Sequence, residues 1–174
     1  MLEHLVKMAQ SGDKEAFVEL IELNKSSLIR AGRAILSNDE DVADSMQDTV
    51  FSAYKKIYSL KEPKYFKTWL TRIMIYSCYD TLRKQKKTSS VEKIERNHEG
   101  SANIVEDSIV DVHSTLDLMK ENDRLILTLF YLEDLSVKEI SQIMKISENA
   151  AKLRLSRSRE RFKAIYMERE EYTQ

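Results

Sequence analysis

Six cations, Lys152, Arg154, Arg157, Arg159, Arg161 and Lys163, fall within one short stretch near the C-terminal end and stand against a single acid, Glu160. On a helix turning about 100° per residue, Ala151, Leu155, Ser158, Phe162 and Ile165 share one face. Asn149, Leu153, Ser156 and Glu160 lie opposite, with Lys152 and Arg157 on the flanks. That division suits a DNA major groove, where outward side chains reach base edges and flanking cations reach phosphates. Lys and Arg are also good helix formers on any solvated surface, so the basic excess alone does not decide. The preceding segment does. Ser136-Val-Lys-Glu139 forms a capping box, in which hydroxyl and carboxylate satisfy each other's neighbouring backbone amides. Val137, Ile140 and Ile143 then face inward on a short helix, and Ser147 caps a longer one. Residues 136–166 therefore carry helix-turn-helix spacing.

Other chemistries find little support. His4, His98 and His113 are scattered, with no Cys or paired carboxylates at ligand spacing, so they read as solvated surface residues and no metal site is expected. There is no Gly-rich phosphate loop, nucleophile motif or His-carboxylate pairing, so no catalytic centre, cofactor or small-molecule substrate is expected. The single cysteine, Cys78, sits in a helical pattern and reads as a small half-buried residue. The opening Met-Leu-Glu-His-Leu-Val-Lys lacks a basic stretch leading into an apolar run, and no segment approaches the roughly 18 apolar residues of a bilayer span. A soluble, cytoplasmic protein is the expectation.

Only 3 Gly and 1 Pro occur in 174 residues, and apolar positions recur every three or four residues nearly throughout, which predicts an all-α fold. Residues 13–36 form one or two helices after a Gly12-Asp13 start, with Asn24 as the point of any break. Ser37-Asn38-Asp39 opens another, in which Val42, Met46, Val50, Tyr54 and Ile57 form the apolar stripe and Asp41, Asp44 and Asp48 lie off it. Pro63 marks a turn. A helix follows from about Phe66 to Arg83, built on Trp69, Leu70, Ile73, Ser77 and Leu82, with a cationic tail through Lys87. From Thr88 to Asp111 the periodicity fades into polar and acidic residues, predicting a flexible linker. A helix over His113 to Leu132 precedes the helix-turn-helix.

The organisation is thus two small helical domains, 1–87 and 112–174, joined by residues 88–111. Charge follows the same division. Lys plus Arg against Asp plus Glu is 7 against 10 over residues 1–60, 8 against 2 over 61–87, 4 against 11 over 88–135, and 9 against 6 over 136–174. Two cationic blocks on a chain of net charge −1 fit two separate contacts with a polyanion.

Three ordered segments resemble the extracytoplasmic-function sigma factors of bacterial RNA polymerase. The run from Asp39 to Tyr54 resembles the acidic helix of the family's region 2. Phe66-Lys-Thr-Trp69-Leu-Thr-Arg72-Ile73, with Asp80 and Leu82-Arg83 beyond, resembles its FxxWLxRI...D-LR stretch. Leu135 to Ser141 and Lys152 to Arg159 resemble the region 4 reading head. The resemblance implies that the first domain binds the clamp helices of the polymerase's largest subunit, through Asp41, Asp44, Gln47, Asp48 and Phe51, and opens the minus-ten element. Lys61, Lys64, Tyr65, Trp69, Arg72, Tyr76, Asp80 and Arg83 are the residues for that opening. An unpaired strand needs backbone cations and aromatic platforms, and this segment supplies both. Phe66 and Trp69 are equally suited to core packing, whereas Tyr65 and Tyr76 are the better stacking residues. The acidic helix, for its part, would be solvated and dipole-stabilised without any partner. The second domain is expected to meet the polymerase flap and read the minus-thirty-five element through Asn149, Lys152, Leu153, Arg154, Ser156, Arg157 and Arg159. The resemblance also implies a masking partner, usually a membrane-bound anti-sigma factor, and a stress or envelope response.

Departures from the family pattern fall where bases are read. Asn149-Ala150-Ala151 stands where Gly-Thr-Val is common, Leu153 replaces a small polar residue, and Tyr76 occupies a frequent Asn position. Lys120-Glu-Asn replaces the usual Leu-Pro before a region 4 helix. Leu153, facing the groove, is expected to meet a thymine methyl. Two other readings remain at this point. A self-sufficient helix-turn-helix regulator would bind palindromic duplex DNA without polymerase; an all-helical enzyme would show metal content or hydrolase activity.

Overall fold

The computed structural model describes residues 1–89 and 112–172, and among these residues every regular element is helical. The chain separates into two compact units.

The first unit contains α1 (Leu2–Gln10), α2 (Lys14–Arg33), α3 (Asp39–Lys56) and α4 (Phe66–Ser89), with 3-10 turns at Ile57–Ser59 and Pro63–Tyr65. Helix α1 has no side-chain N-cap to announce it in sequence. Gly12, at φ +98°, makes the turn out of it, a conformation side chains rarely adopt. Asp13 then caps α2 by accepting from the Ala16 amide at 3.0 Å. No break occurs at Asn24: α2 continues through it, and its buried side-chain amide finds an acceptor 2.8 Å away in the Leu20 carbonyl.

Helix α3 starts where expected, with Asn38 accepting from the Glu40 amide. Its inward face differs from the predicted stripe. Val42, Ser45, Thr49 and Ala53 are buried, whereas Met46 and Val50 are only half-buried and Tyr54 is exposed. Small side chains let α3 approach α4 closely. Ser45 and Thr81 share a 3.0 Å hydroxyl hydrogen bond, and Thr49 bonds both the Ser45 carbonyl and Met74 Sδ. Gly32 on α2 meets the same junction; a Cβ there would lie 2.6 Å from Met74 Cε and 3.0 Å from Val42 Cγ1. Helix α4 outlasts its predicted end at Arg83, so Thr88 and Ser89 are helical rather than linker. The remaining linker residues, 90–111, and His98 with them, lie outside the described residues. Leu70 is buried as expected, Ile73, Ser77 and Leu82 are half-buried, and Met74, Ile75 and Cys78 are buried where the pattern did not place them. Cys78 is therefore fully enclosed rather than half-buried, and burial pushes its thiol pKa up to about 11.

The second unit contains α5 (Val112–Asp117), α6 (Glu121–Leu127), a π turn at Thr128–Leu132, α7 (Val137–Met144) and α8 (Glu148–Tyr172). The helix expected over His113 to Leu132 is thus interrupted, with Lys120 in an extended conformation capping α6. This is the position where the usual Leu-Pro is missing. Leu125, Ile126, Leu129, Ile140, Ile143, Ala151 and Leu155 form the core under α8.

Candidate nucleic-acid interface

The helix-turn-helix is assembled by local chemistry. Ser136 accepts from the Glu139 amide, and Glu139 Oε2 accepts from the Ser136 amide at 2.9 Å, completing the capping box. Helix α7 ends at Lys145, whose left-handed φ of 55° directs the chain into Ile146 and Ser147. Ser147 Oγ then accepts from the Ala150 amide at 3.1 Å to start α8.

With α7 and the start of α8 fixed this way, α8 has one covered and one open face. Ala151, Leu155 and Ser158 are buried, with Phe162 and Ile165 half-buried behind them. Asn149, Lys152, Leu153, Ser156, Arg157 and Arg159 are exposed, and Arg154 is half-buried. The sequence-derived faces coincide with the observed ones. Leu153 is 52% exposed, an open apolar side chain between cations.

Two of the cations are engaged within the unit. Arg161 Nη1 lies 2.6 Å from Asp123 Oδ2, and Ser158 Oγ donates to Asp123 Oδ1 at 2.8 Å. Arg159 sits 5.9 Å and 6.0 Å over the rings of Phe130 and Tyr131, which themselves meet edge to face at 4.9 Å. Spacing along α8 held no sign of Asp123 or of this aromatic pair, since both lie on other elements. Asp123, set just before the apolar run Leu125-Ile126-Leu127, was the available signal.

In the first unit, Lys61 and Lys64 are exposed on the turn between Leu60 and Phe66, and Tyr65 is 48% exposed with Lys64 Nζ 5.0 Å from its ring centroid. Phe66 is fully buried, so core packing claims it. Trp69 is half-buried, its ring 5.8 Å from that of Phe66. Arg72 is half-buried, with Nε enclosed and lacking a hydrogen-bond partner. Tyr76, Asp80 and Arg83 are exposed, the last two paired in a salt bridge one helical turn apart. On α3, Asp44, Gln47, Asp48 and Phe51 are exposed along one side, while Asp41 is half-buried and accepts 2.8 Å from Gln85 of α4. Tyr58, 65% exposed, and Tyr54 extend this open aromatic surface beyond the predicted residues.

No group of three or more His, Cys, Asp or Glu side chains suited to a metal occurs among the described residues. No described helix is long and apolar enough to cross a membrane.

The Sigma-70 region 2 family model matches residues 20–88, and the Sigma-70 region 4 model matches residues 109–162. The chain is 33% identical over 138 residues to the ECF RNA polymerase sigma factor SigM of Bacillus subtilis, covering 75% of this chain and 83% of the relative. The chain belongs to the ECF sigma factors of RNA polymerase. Similarity to the sigma-E factor of Salmonella typhimurium, 30% identical over 174 residues with 90% and 89% coverage, agrees. The sigma factor RpoE of Bartonella quintana, solved in complex with the anti-sigma factor NepR, shares the fold at a TM-score of 0.72 and 22% identity, covering 86% of this sigma factor and 95% of that chain. As a sigma factor, the protein serves RNA polymerase in transcription initiation, and the two matched regions correspond to its two helical units.

Proposed function

We propose that this sigma factor docks on core polymerase through the open side of α3, reads the upstream promoter element with α8, and traps unpaired minus-ten bases on the turn at Lys61 to Tyr65 and the adjoining face of α4. The domain roles are then 1–87 for core binding and opening and 112–174 for upstream recognition. The observation that carries this reading is the one-sided burial of α8: its apolar residues are covered while Asn149, Lys152, Leu153, Ser156 and Arg157 stand open together. A groove-reading helix needs that arrangement, with base edges and phosphates met from one side.

In the first unit, the exposed lysines meet backbone phosphates and Tyr65 offers a π-face to an extruded base. Flipping a base costs a few kcal/mol, which these contacts must offset. Polymerase supplies the phosphoryl-transfer chemistry, so the reading calls for no cofactor. Action is in the cytoplasm, where polymerase and promoter DNA are. A masking anti-sigma factor and control of a stress or envelope response complete the proposal; the Bartonella relative's solved complex with an anti-sigma factor supports the masking partner.

Runoff transcription from genomic fragments, with core polymerase in the presence and absence of this protein, tests the reading. Specific transcripts that need both components are expected; none across several salt concentrations would overturn it.

A further inference from the structure

The turn that carries Lys61, Lys64 and Tyr65 has few means of holding its own shape. It lies between two short 3-10 segments, Ile57–Ser59 and Pro63–Tyr65, and Lys61, Lys64 and Tyr65 are all exposed. Backbone carbonyls at such a turn are only partly satisfied by its own 3-10 bonds and draw further donors from elsewhere. Here the partner comes from the other end of the unit. The side-chain amide of Gln10, the last residue of α1, donates to the Ile57 carbonyl at 3.0 Å and to the Leu60 carbonyl at 2.8 Å. One NH2 group thus uses its two hydrogens to bridge both ends of the turn's first half. Gln10 is half-buried, so these bonds are sheltered from full exchange with water.

The second of these bonds falls on a residue anchored in other ways too, Leu60. Its own side chain is buried and its amide bonds back to the Ile57 carbonyl at 3.2 Å, so the point where the chain leaves toward Lys61 is set by Leu60. Helix α1 is itself anchored by Val6 and Ala9, both buried. Gln10 therefore transmits the position of α1 to the departure point of the basic, aromatic turn.

We propose that Gln10 is a positioning residue for promoter opening: it holds the Ile57 to Leu60 segment so that Lys64 and Tyr65 are presented to an unpaired strand in a pre-organised geometry. A turn released from this bridge must be ordered again whenever it captures bases, and that entropy opposes opening. The inference rests on the assignment of Lys64 and Tyr65 to strand capture.

Gln10→Met keeps the length and packing of the side chain and removes both donors; Gln10→Glu keeps the shape and replaces the donors with acceptors. Each is assayed as the full chain in holoenzyme, with promoter opening followed by permanganate reactivity of unpaired thymines. Core-polymerase binding and the thermal unfolding of the free protein are measured beside it. Opening is expected to fall about tenfold in both variants, the scale on which one or two such bonds shift an equilibrium, with core binding close to wild type and the unfolding temperature only modestly lowered by the loss of those bonds. Wild-type opening by Gln10→Met would overturn the proposal, since packing alone would then suffice. Loss of core binding in step with opening would also overturn it, showing a role in the fold only. Tyr65→Ala separates the premise: impaired opening by Tyr65→Ala beside normal opening by both Gln10 variants sinks the role of Gln10 alone, whereas normal opening by Tyr65→Ala sinks the assignment of the turn and this inference with it.

Discussion

Ser158 on α8 donates a 2.8 Å hydrogen bond to Asp123 on α6, and both residues are buried. Asp123 uses its second oxygen for Arg161, one turn further along α8. Contacts at two successive turns fix both the rotation and the tilt of the helix. The orientation of the open face bearing Leu153 and Arg157 is thereby set by an acid buried on another helix.

Asp123→Ala leaves the Ser158 hydroxyl buried without a partner, at a cost of about 1–3 kcal/mol. The Arg161 arm adds little, because 57% of its side chain is exposed and such pairs are screened by water. Urea unfolding should show the loss, and affinity for the upstream element should fall with it. Unchanged affinity in a destabilised variant would mean that α8 keeps its aim without Asp123.

Arg157→Ala should weaken duplex binding and reduce the slope of log affinity against log salt by about 1, as expected for one lost phosphate contact. Leu153→Ala should behave differently. Wild type should prefer thymine over uracil at the contacted position and the variant should lose that preference. Indifference of the wild-type protein to the missing methyl would dispose of the apolar contact.

Tyr65→Ala and Phe66→Ala stand next to each other in sequence and should part company in effect. Tyr65→Ala should impair opening while leaving unfolding and duplex binding near wild type. Phe66 is fully buried, so Phe66→Ala should cost about 3–5 kcal/mol of stability. Thermal melts of the two variants are the direct comparison.

The Cys78 thiol, raised from an ordinary 9.0 to about 11 by burial, holds its proton more tightly folded than unfolded. Its contribution to stability is therefore complete below pH 9 and lost as pH rises from there through about 11. At pH 8, a thiol-specific reagent should label Cys78 only when denaturant is added. Rapid labelling of the native protein would show that α3 and α4 part readily.

Lys145 holds a left-handed conformation that glycine adopts without a steric penalty. Lys145→Gly should stabilise the second unit by up to about 1 kcal/mol, the left-handed cost less the added chain entropy. A melting temperature below wild type would mean that the Lys145 side chain contributes more than the strain removes.

What the residues determined by themselves was local. The capping box at Ser136 and Glu139, the Ser147 cap and the division of α8 into faces depend on neighbours within one helical turn, so spacing was enough to place them. The family and the two-unit organisation were equally legible, because three such local patterns occur in order. Tertiary structure decided the rest. The inward side of α3 runs through Ser45, Thr49 and Ala53 rather than along the apolar stripe, because close approach to α4 favours small side chains with hydroxyls that find partners across the interface. Phe66 went to the core, a choice between packing and stacking that composition left even. The residues that brace the turn and α8, Gln10 and Asp123, lie 47 and 35 residues from Ile57 and Ser158, which they bind. Hydrogen bonds across such separations depend on how whole helices pack, and no periodicity along a single helix encodes them.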